Sequence, residues 1–374
     1  MRTAIVHYWL LNMRGGERVV EALCKLFPDA DIFTLFYDPE KVSPLIRSHR
    51  VTASFLNPLR RVYRSLLPLM PMALESLDLR GYDLVVSSES GPAKGVITSS
   101  STLHVCYCHT PMRYLWELYP AYLHEWTKNS LQRVVMAPLA NYLRLWDFAS
   151  AARVDGFIAN SEAVRKRIWK TYRREASVIH PPVDVSDFYW KPPEDYFLIV
   201  TELVAYKQVD YAVKLFSRTG RKLKIVGNGP EYQNLKRAAS PNVEFCGRVG
   251  DEDLRELFAR CRAFLVPGEE DFGIAAVEAL ASGKPIIALG RGGSLEIVPP
   301  IPGSGVLYRE PGEQALQDAI SQLESLAAPA DHLALQSAAS RFSPEQFAKE
   351  FQHYLTRLSA DSTSAPASSS AHQQ

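Results

Sequence analysis

The 374-residue sequence has no uninterrupted apolar segment approaching the ~20 residues that a membrane-crossing helix needs. No span is expected. It also lacks an excess of charge of either sign: 42 Lys and Arg stand against 41 Asp and Glu. That balance excludes a nucleic-acid binder working through bulk charge, while leaving local basic patches open. Cysteine is scarce and odd in number, with Cys24, Cys106, Cys108, Cys246 and Cys261 scattered among apparent strands and helices. Such thiols fit a reducing compartment better than a disulfide framework. Cys106-Tyr107-Cys108-His109 spells like a metal ligand set, but no second ligand cluster accompanies it. Alternation along a strand puts both thiols on one face, so they read as core packing and no metal is expected. Missing too is a GxGxxG fingerprint after the first β-rich run, which argues against a dinucleotide-dependent oxidoreductase.

Hydrophobic residues at 47% and charged residues at 22% supply ample core, and the length suits two ordinary domains. Short β-rich runs alternate with helical patterns throughout. The first half offers Thr3–Tyr8, Asp31–Phe36, Asp83–Ser87, Leu103–Tyr107 and Gly156–Asn160. The second offers Tyr196–Thr201, Lys222–Gly227, Asn242–Cys246, Ala263–Pro267 and Pro285–Leu289. Runs flanked by Gly, Pro and Asn with amphipathic helices between them predict βα units around parallel sheets, an α/β class. The opening residues Met1–Met13 contain an apolar run with one Arg ahead of it; it lacks a small-residue cleavage site and leads into Gly15-Gly16, so it reads as a first strand rather than a leader.

The proline pairs Pro181-Pro182 and Pro192-Pro193 can continue neither a helix nor a central strand, and mark a connection. The expected organisation is a Rossmann-like domain over 1–182, a second over 183–342, a helix over 343–358 returning toward the first domain, and a Ser/Ala-rich disordered tail over 359–374. Two doubly wound domains facing each other would leave a central cleft at the carboxyl ends of both sheets. Two apolar stretches also carry arginines: Leu56–Leu74 with Arg60, Arg61 and Arg64, and Asn129–Ala149 with Arg133 and Arg144. They read either as amphipathic helices covering their own domain or as a surface for an anionic membrane or lipid-linked acceptor.

The strongest chemical signal runs from Pro267 to Pro285. A strand ends, a loop carries Glu269, Glu270 and Asp271, and a helix opens at Phe272-Gly273-Ile274. Free N–H groups and the dipole at that helix start suit a phosphate. Glu270 precedes the helix and Glu278 lies inside it among Ala and Val, where one carboxylate can meet sugar hydroxyls and the other a ribose diol. This arrangement resembles the E-x7-E motif of glycosyltransferase family 4. Gly15-Gly16-Glu17-Arg18, His109-Thr110-Pro111, Asn160-Ser161, Pro181-Pro182-Val183-Asp184, Gly227-Asn228-Gly229-Pro230 and Cys246-Gly247-Arg248-Val249 match in order, over roughly residues 3 to 310.

The resemblance implies a GT-B fold, a retaining reaction without a bound metal, and a donor held mainly by the second domain. Asp29-Ala30-Asp31 and Asp251-Glu252-Asp253 spell like DxD metal motifs, but the first leads into a strand and the second caps a helix beginning at Leu254, so both read as structural. With no metal, a cation must offset the charge growing on a departing nucleotide diphosphate. Lys207, after the first strand of the second domain, is the residue expected there. The resemblance further implies that Gly15 and Gly16 approach the donor, that His109 contacts the transferred sugar, and that Gly227, Asn228, Arg248 and Val249 frame the nucleotide. Gly290-Arg291-Gly292-Gly293-Ser294-Leu295-Glu296 adds a glycine loop. His104 and His180 read as structural, and Glu17 as a helix-start acid.

One departure is plain: Glu202 stands where most members have an Arg beside the Lys. Either Glu202 turns outward and Lys207 works with backbone amides, or the enzyme is impaired. The expectation is a cytoplasmic hexosyltransferase, peripheral at the membrane, using no cofactor. By resemblance it moves mannose from GDP-mannose to a saccharide or lipid-linked saccharide, with no nucleic-acid partner. A UDP-hexose or UDP-N-acetylhexosamine donor and a non-catalytic sugar-nucleotide binder stand as alternatives.

Overall fold

The computed structural model describes residues 1–126, 130–326 and 331–364. Most of the expected tail, 365–374, lies outside the described residues, as does Asn129 at the start of the second arginine-bearing region. The chain divides into two compact units.

The first unit comprises Met1–Asn160, Val164–Ile179 and the chain from Phe347 onward. Its strands are β1 (Thr3–His7), β2 (Asp31–Thr34), β3 (Val51–Ala53), β4 (Leu84–Glu89), β5 (Leu103–Cys108), β6 (Gly156–Ala159) and β7 (Ala176–Val178). They form a parallel sheet in the order β3-β2-β1-β4-β5-β6-β7. The order reverses between β1 and β4, the place where doubly wound sheets open a crevice at their carboxyl ends. Helix Gly15–Leu26 follows β1 and buries Val19, Val20, Leu23 and Cys24, one face at helical spacing.

The C-terminal helix Pro344–Ser364 begins with Ser343 Oγ accepting from the Gln346 amide at 3.3 Å. From there Phe347 and Phe351 sink into the core beside Val20, Ile158 and Tyr107, and Tyr354, Leu355 and Leu358 continue the stripe. The Tyr354 hydroxyl donates to the Phe157 carbonyl at 3.3 Å. A Cβ on Gly156 would lie 2.3 Å from that hydroxyl, so β6 needs glycine there for the helix to dock. The helix runs six residues past Leu358, the expected end, because a docked face nucleates turns that a free Ser/Ala-rich segment could not start.

The second unit comprises Ser161–Ala163 and His180–Gln346. Its strands are β8 (Phe197–Val200), β9 (Leu223–Val226), β10 (Val243–Gly247), β11 (Ala263–Val266), β12 (Ile286–Leu289) and β13 (Gly305–Tyr308). The parallel order is β10-β9-β8-β11-β12-β13, reversing between β8 and β11. One face packs on helix Val209–Thr219 through Val213 and Phe216, the other on helix Ile274–Ala281 through Val277 and Leu280.

Three strands without a counterpart in the sequence reading, β3, β7 and β13, are all sheet edges. β3 and β7 span three half-buried residues each, and β13 alternates buried with open positions. Short strands whose side chains are only half-buried, or alternate with open positions, carry no continuous apolar run to detect.

Since Phe351 is fully buried in the first unit's core, Phe351→Ala is expected to destabilise that unit by about 3–5 kcal/mol. Urea unfolding followed by a first-unit probe, such as Trp146 fluorescence, should show an earlier midpoint.

Candidate functional site

In the second unit, the loops leaving β8 and β11 flank the reversal of strand order. The β8 loop turns through a short 3-10 segment, Ala205–Lys207, and Gln208 takes the left-handed conformation (φ 54°) before the next helix. The β11 loop carries Gly268, Glu269, Glu270 and Asp271. A Cβ on Gly268 would lie 2.5 Å from the Lys207 carbonyl oxygen, so glycine is what lets the two loops lie backbone to backbone. That contact delivers the Lys207 ammonium to the Glu270 carboxylate, an ion pair with both side chains mostly buried. Burial works most strongly against the Lys207 charge, but Glu270, Tyr206 and the hydrogen bond to Glu270 together carry its pKa above the ordinary lysine value. Lys207 is therefore a cation at neutral pH.

The β12 loop completes this end of the sheet. Gly292 (φ 64°) bridges Glu270, with room for no side chain: a Cβ would lie 2.0 Å from the Glu270 carbonyl. The Gly293 amide donates to that carbonyl at 3.0 Å. From the other side Ser161 Oγ donates to the Asp271 carbonyl at 2.6 Å. His180 Nε2 lies 3.0 Å from Glu296 of the glycine loop, and its ring sits against Phe272. Ser161 and His180 thus supply supports of the acidic loop.

Helix Ile274–Ala281 starts after Gly273 (φ 105°) with no side-chain cap, so its first N–H groups point out of the helix start. Ala276, Val277, Ala279, Leu280 and Ala281 are buried, while Ile274, Ala275 and Glu278 form the half-open face. The four-residue spacing of Ile274 and Glu278 stacks them on that face, one turn from the helix start. Lys284, by contrast, turns to the Lys191 carbonyl at 2.8 Å and lies over Trp190.

On β9 and β10 the Leu203 amide donates to the Asn228 carbonyl at 3.0 Å, and the Gly227 amide to the Gly247 carbonyl at 2.7 Å. The turn carrying Gly227 and Asn228 is thereby tied to the β8 loop. Arg248 is exposed, Val249 half-buried against the second-unit core, and Glu202 exposed. Lys207, Glu270, Phe272, Gly273, Ile274 and Glu278 come together on one side of the β8–β11 junction; Gly227, Asn228, Arg248 and Val249 follow β9 and β10.

The first unit gathers a different set at its own reversal. Gly16 faces the Tyr8 hydroxyl, His7 and His109, whose nearest atoms lie 3.3, 3.4 and 3.7 Å from the position of a Cβ. Gly15, its neighbour, is the first residue of the helix. Ser88 joins the two imidazoles: its carbonyl is 2.9 Å from His7 Nδ1 and its Oγ 2.9 Å from His109 Nε2. A carbonyl only accepts, so His7 carries its proton on Nδ1 and leaves a bare Nε2, fully buried and without a hydrogen-bond partner among the described residues. Burial, then the neighbouring His109, push the His7 pKa down to about 3 against the pull of that carbonyl. His7, Tyr8 and Ser88 escaped the sequence reading; the one available signal was that His7 ends β1, a position where side chains face the crevice.

His104, expected to be structural, is buried with Nε2 2.9 Å from Ser87 Oγ. Cys106 and Cys108 point to one side of β5 with the Glu89 carboxylate, their ligand atoms within 4.8 Å of one another. Burial raises both thiols above the ordinary cysteine value and pushes Glu89 up to about 7. Buried Lys94 already provides the positive charge, 3.4 Å from Glu89 and paired with Asp147.

Two family models match, one described as Glycosyltransferase Family 4 over residues 13–187 and one as Glycosyl transferases group 1 over 186–339. An O-antigen chain mannosyltransferase of Escherichia coli is 27% identical over 179 residues, 45% of this chain and 48% of its own. A GDP-mannose-dependent alpha-mannosyltransferase of Corynebacterium glutamicum is 37% identical over 100 residues, 26% of this chain and 24% of its own. The chain thus spans about half or less of the curated relatives it matches. Anabaena HepE, solved in complex with UDP-glucose, is similar with a TM-score of 0.70 at 17% identity, over 96% of this chain and 100% of its own. At that identity the likeness speaks for the fold, two Rossmann-like sheets in GT-B fashion.

Beside Gly16, Glu17 is buried and accepts from the Arg14 amide at 3.1 Å. Burial raises its pKa to about 7, against its backbone hydrogen bonds and Arg14. Between pH 4.5 and 7 the folded state then binds more protons at Glu17 than the unfolded state, so this group lowers stability as pH rises through that window. Glu17→Gln removes the effect. Denaturation midpoints at pH 5 and pH 8 should show the wild type losing stability relative to the variant at the higher pH; parallel pH profiles would contradict the assignment.

Proposed function

From a chain that belongs to the family 4 and group 1 glycosyltransferases, we propose a retaining, metal-independent transfer of a hexose, mannose from GDP-mannose, to a saccharide or lipid-linked saccharide. The observation that carries this reading is the Lys207–Glu270 pair at the strand-order reversal of the second unit, beside the uncapped helix start at Gly273. A cation and free amides at one place suit a diphosphate, and an acid within reach suits sugar hydroxyls.

On donor binding the diphosphate replaces Glu270 as the partner of Lys207, and Glu270 turns to the sugar. Helix amides from Gly273 and Ile274 take phosphate oxygens, and Glu278, a turn along the open face, takes the ribose diol. Gly227, Asn228, Arg248 and Val249 frame the base. As the bond from the anomeric carbon to the diphosphate breaks, its electron pair goes to the leaving oxygen, whose charge Lys207 and the amides already face. The acceptor hydroxyl adds from the same side and its proton passes to the leaving phosphate, so no enzyme nucleophile is required. In the first unit the reading keeps Gly15, Gly16 and His109 as sugar-side groups. The exposure of Glu202 favours the version in which it turns outward and Lys207 acts with backbone amides.

The mannose and guanosine assignments rest on the likeness to the mannosyltransferases above. The reading also carries a cytoplasmic location with peripheral membrane contact. Glu202 in place of an arginine favours a second reading, a sugar-nucleotide binder without turnover.

A panel of GDP- and UDP-sugars offered to the purified protein, with nucleotide release as the readout, decides among these. GDP-mannose should release nucleotide fastest, and Lys207→Ala or Glu270→Ala should slow it by about 100-fold or more. Fastest release from a UDP-sugar would move the donor. Tight GDP binding with no release from any donor would favour the binder. Release unchanged in both variants would remove the site assignment.

A further inference from the structure

Between Lys41 and Leu74 the chain holds no Asp or Glu and six basic residues, Lys41, Arg47, Arg50, Arg60, Arg61 and Arg64, in a protein whose charges nearly cancel overall. One reading of Leu56–Leu74 was an amphipathic helix covering its own domain. Asn57–Leu69 is instead a kinked 3-10 segment in which none of the 13 residues is buried. Tyr63, Leu66 and Leu67 reach the core beneath only as half-buried contacts. Phe55, Leu59, Val62 and Met72 are each more than half exposed, and Leu69 is exposed too. Arg60, Arg61 and Arg64 stand exposed among them.

The surface continues sideways. Leu67 packs with Leu139 and Leu143 of helix Ser130–Ala151. That helix exposes Tyr142, Leu145 and Phe148. The acids flanking the segment are engaged: Asp38 lies 3.3 Å from Lys41 and 3.8 Å from Arg60, and Glu75 accepts from Trp146 at 2.8 Å and Arg153 at 3.0 Å.

We propose that Phe55–Met72 is a docking surface for an anionic lipid bilayer, with Leu59, Val62, Leu69 and Met72 entering the headgroup–acyl boundary and Arg60, Arg61 and Arg64 meeting lipid phosphates. Charge complementarity selects this occupant. A second copy meeting the same face about a two-fold axis would set arginine against arginine. Exposed Leu, Val and Met side chains have no counterpart on a nucleic acid, whereas aliphatic groups among arginines are what an interfacial helix presents. No described helix is long and apolar enough to cross a membrane, so the contact lies at the surface. The proposal deepens the peripheral contact in the functional reading, and stands independently of donor identity.

The test is co-sedimentation of the full chain with vesicles of phosphatidylcholine alone or with about one-third phosphatidylglycerol, at about 0.1 M salt. The protein should pellet with the anionic vesicles only, and less so as salt rises. Arg60→Glu/Arg61→Glu/Arg64→Glu should lower partitioning roughly 100-fold, at about 1 kcal/mol per arginine near such a surface. The milder Arg61→Gln/Arg64→Gln pair should lower it roughly tenfold or more. Leu59→Ser/Val62→Ser/Met72→Ser should also weaken it, leaving the salt dependence in place. Circular dichroism and GDP binding by the same variants should match the wild type. Equal binding to neutral vesicles, or binding unchanged in the milder pair, would overturn the proposal. So would a wild-type dimer that the leucine and valine changes abolish without vesicle binding. Vesicle binding by a protein that binds no nucleotide would leave this surface standing and remove the donor reading.

Discussion

A lysine ammonium drawn into a nearly closed place must have an anion beside it, and at the β8–β11 junction that anion is Glu270. The remaining geometry of the second unit serves this pairing. Gly268 lets the β11 loop rest on the Lys207 backbone, Gly292 and Gly293 let the β12 loop rest on Glu270 to Phe272, and Ser161 and His180 brace the far side. Removing one partner of such a buried pair costs about 3–5 kcal/mol because the other is stranded, whereas exchanging it for an incoming anion does not. A ligand that brings its own negative charge is therefore admitted where a neutral one is resisted.

The two units treat the same topological position differently. At the β1–β4 reversal the first unit places imidazoles, with His7 held neutral and Ser88 linking it to His109. At the β8–β11 reversal the second places full charges. Neutral acceptors and donors suit hydroxyl-bearing ligands, fixed charge suits phosphate.

Much of this could be read from residues in order. Central strands announce themselves as apolar runs because both faces are covered, and the acidic loop with Glu278 on an apolar helix is too unlike a core pattern to pass as one. What escaped had a physical cause. β3 and β7 are three-residue edges with half-buried side chains, and β13 alternates buried with open ones. His7 is adjacent to nothing diagnostic along the chain, and only the parallel pairing of β1 with β4 and the β5 end brings it to Ser88 and His109. The role of His180 likewise appears only when a residue 116 positions away, Glu296, folds against it. The 3-10 geometry of Asn57–Leu69 hid because Pro58 and Pro68 favour it where residue count alone suggests an α-helix.

Phe347 and Phe351 fill the first unit's core although nearly the whole second unit precedes them in the chain. On the ribosome, the first unit's sheet must therefore wait, with a hole where two rings belong, until the second unit has been made. Vectorial synthesis can complete the second unit first, and the helix that follows it closes the first.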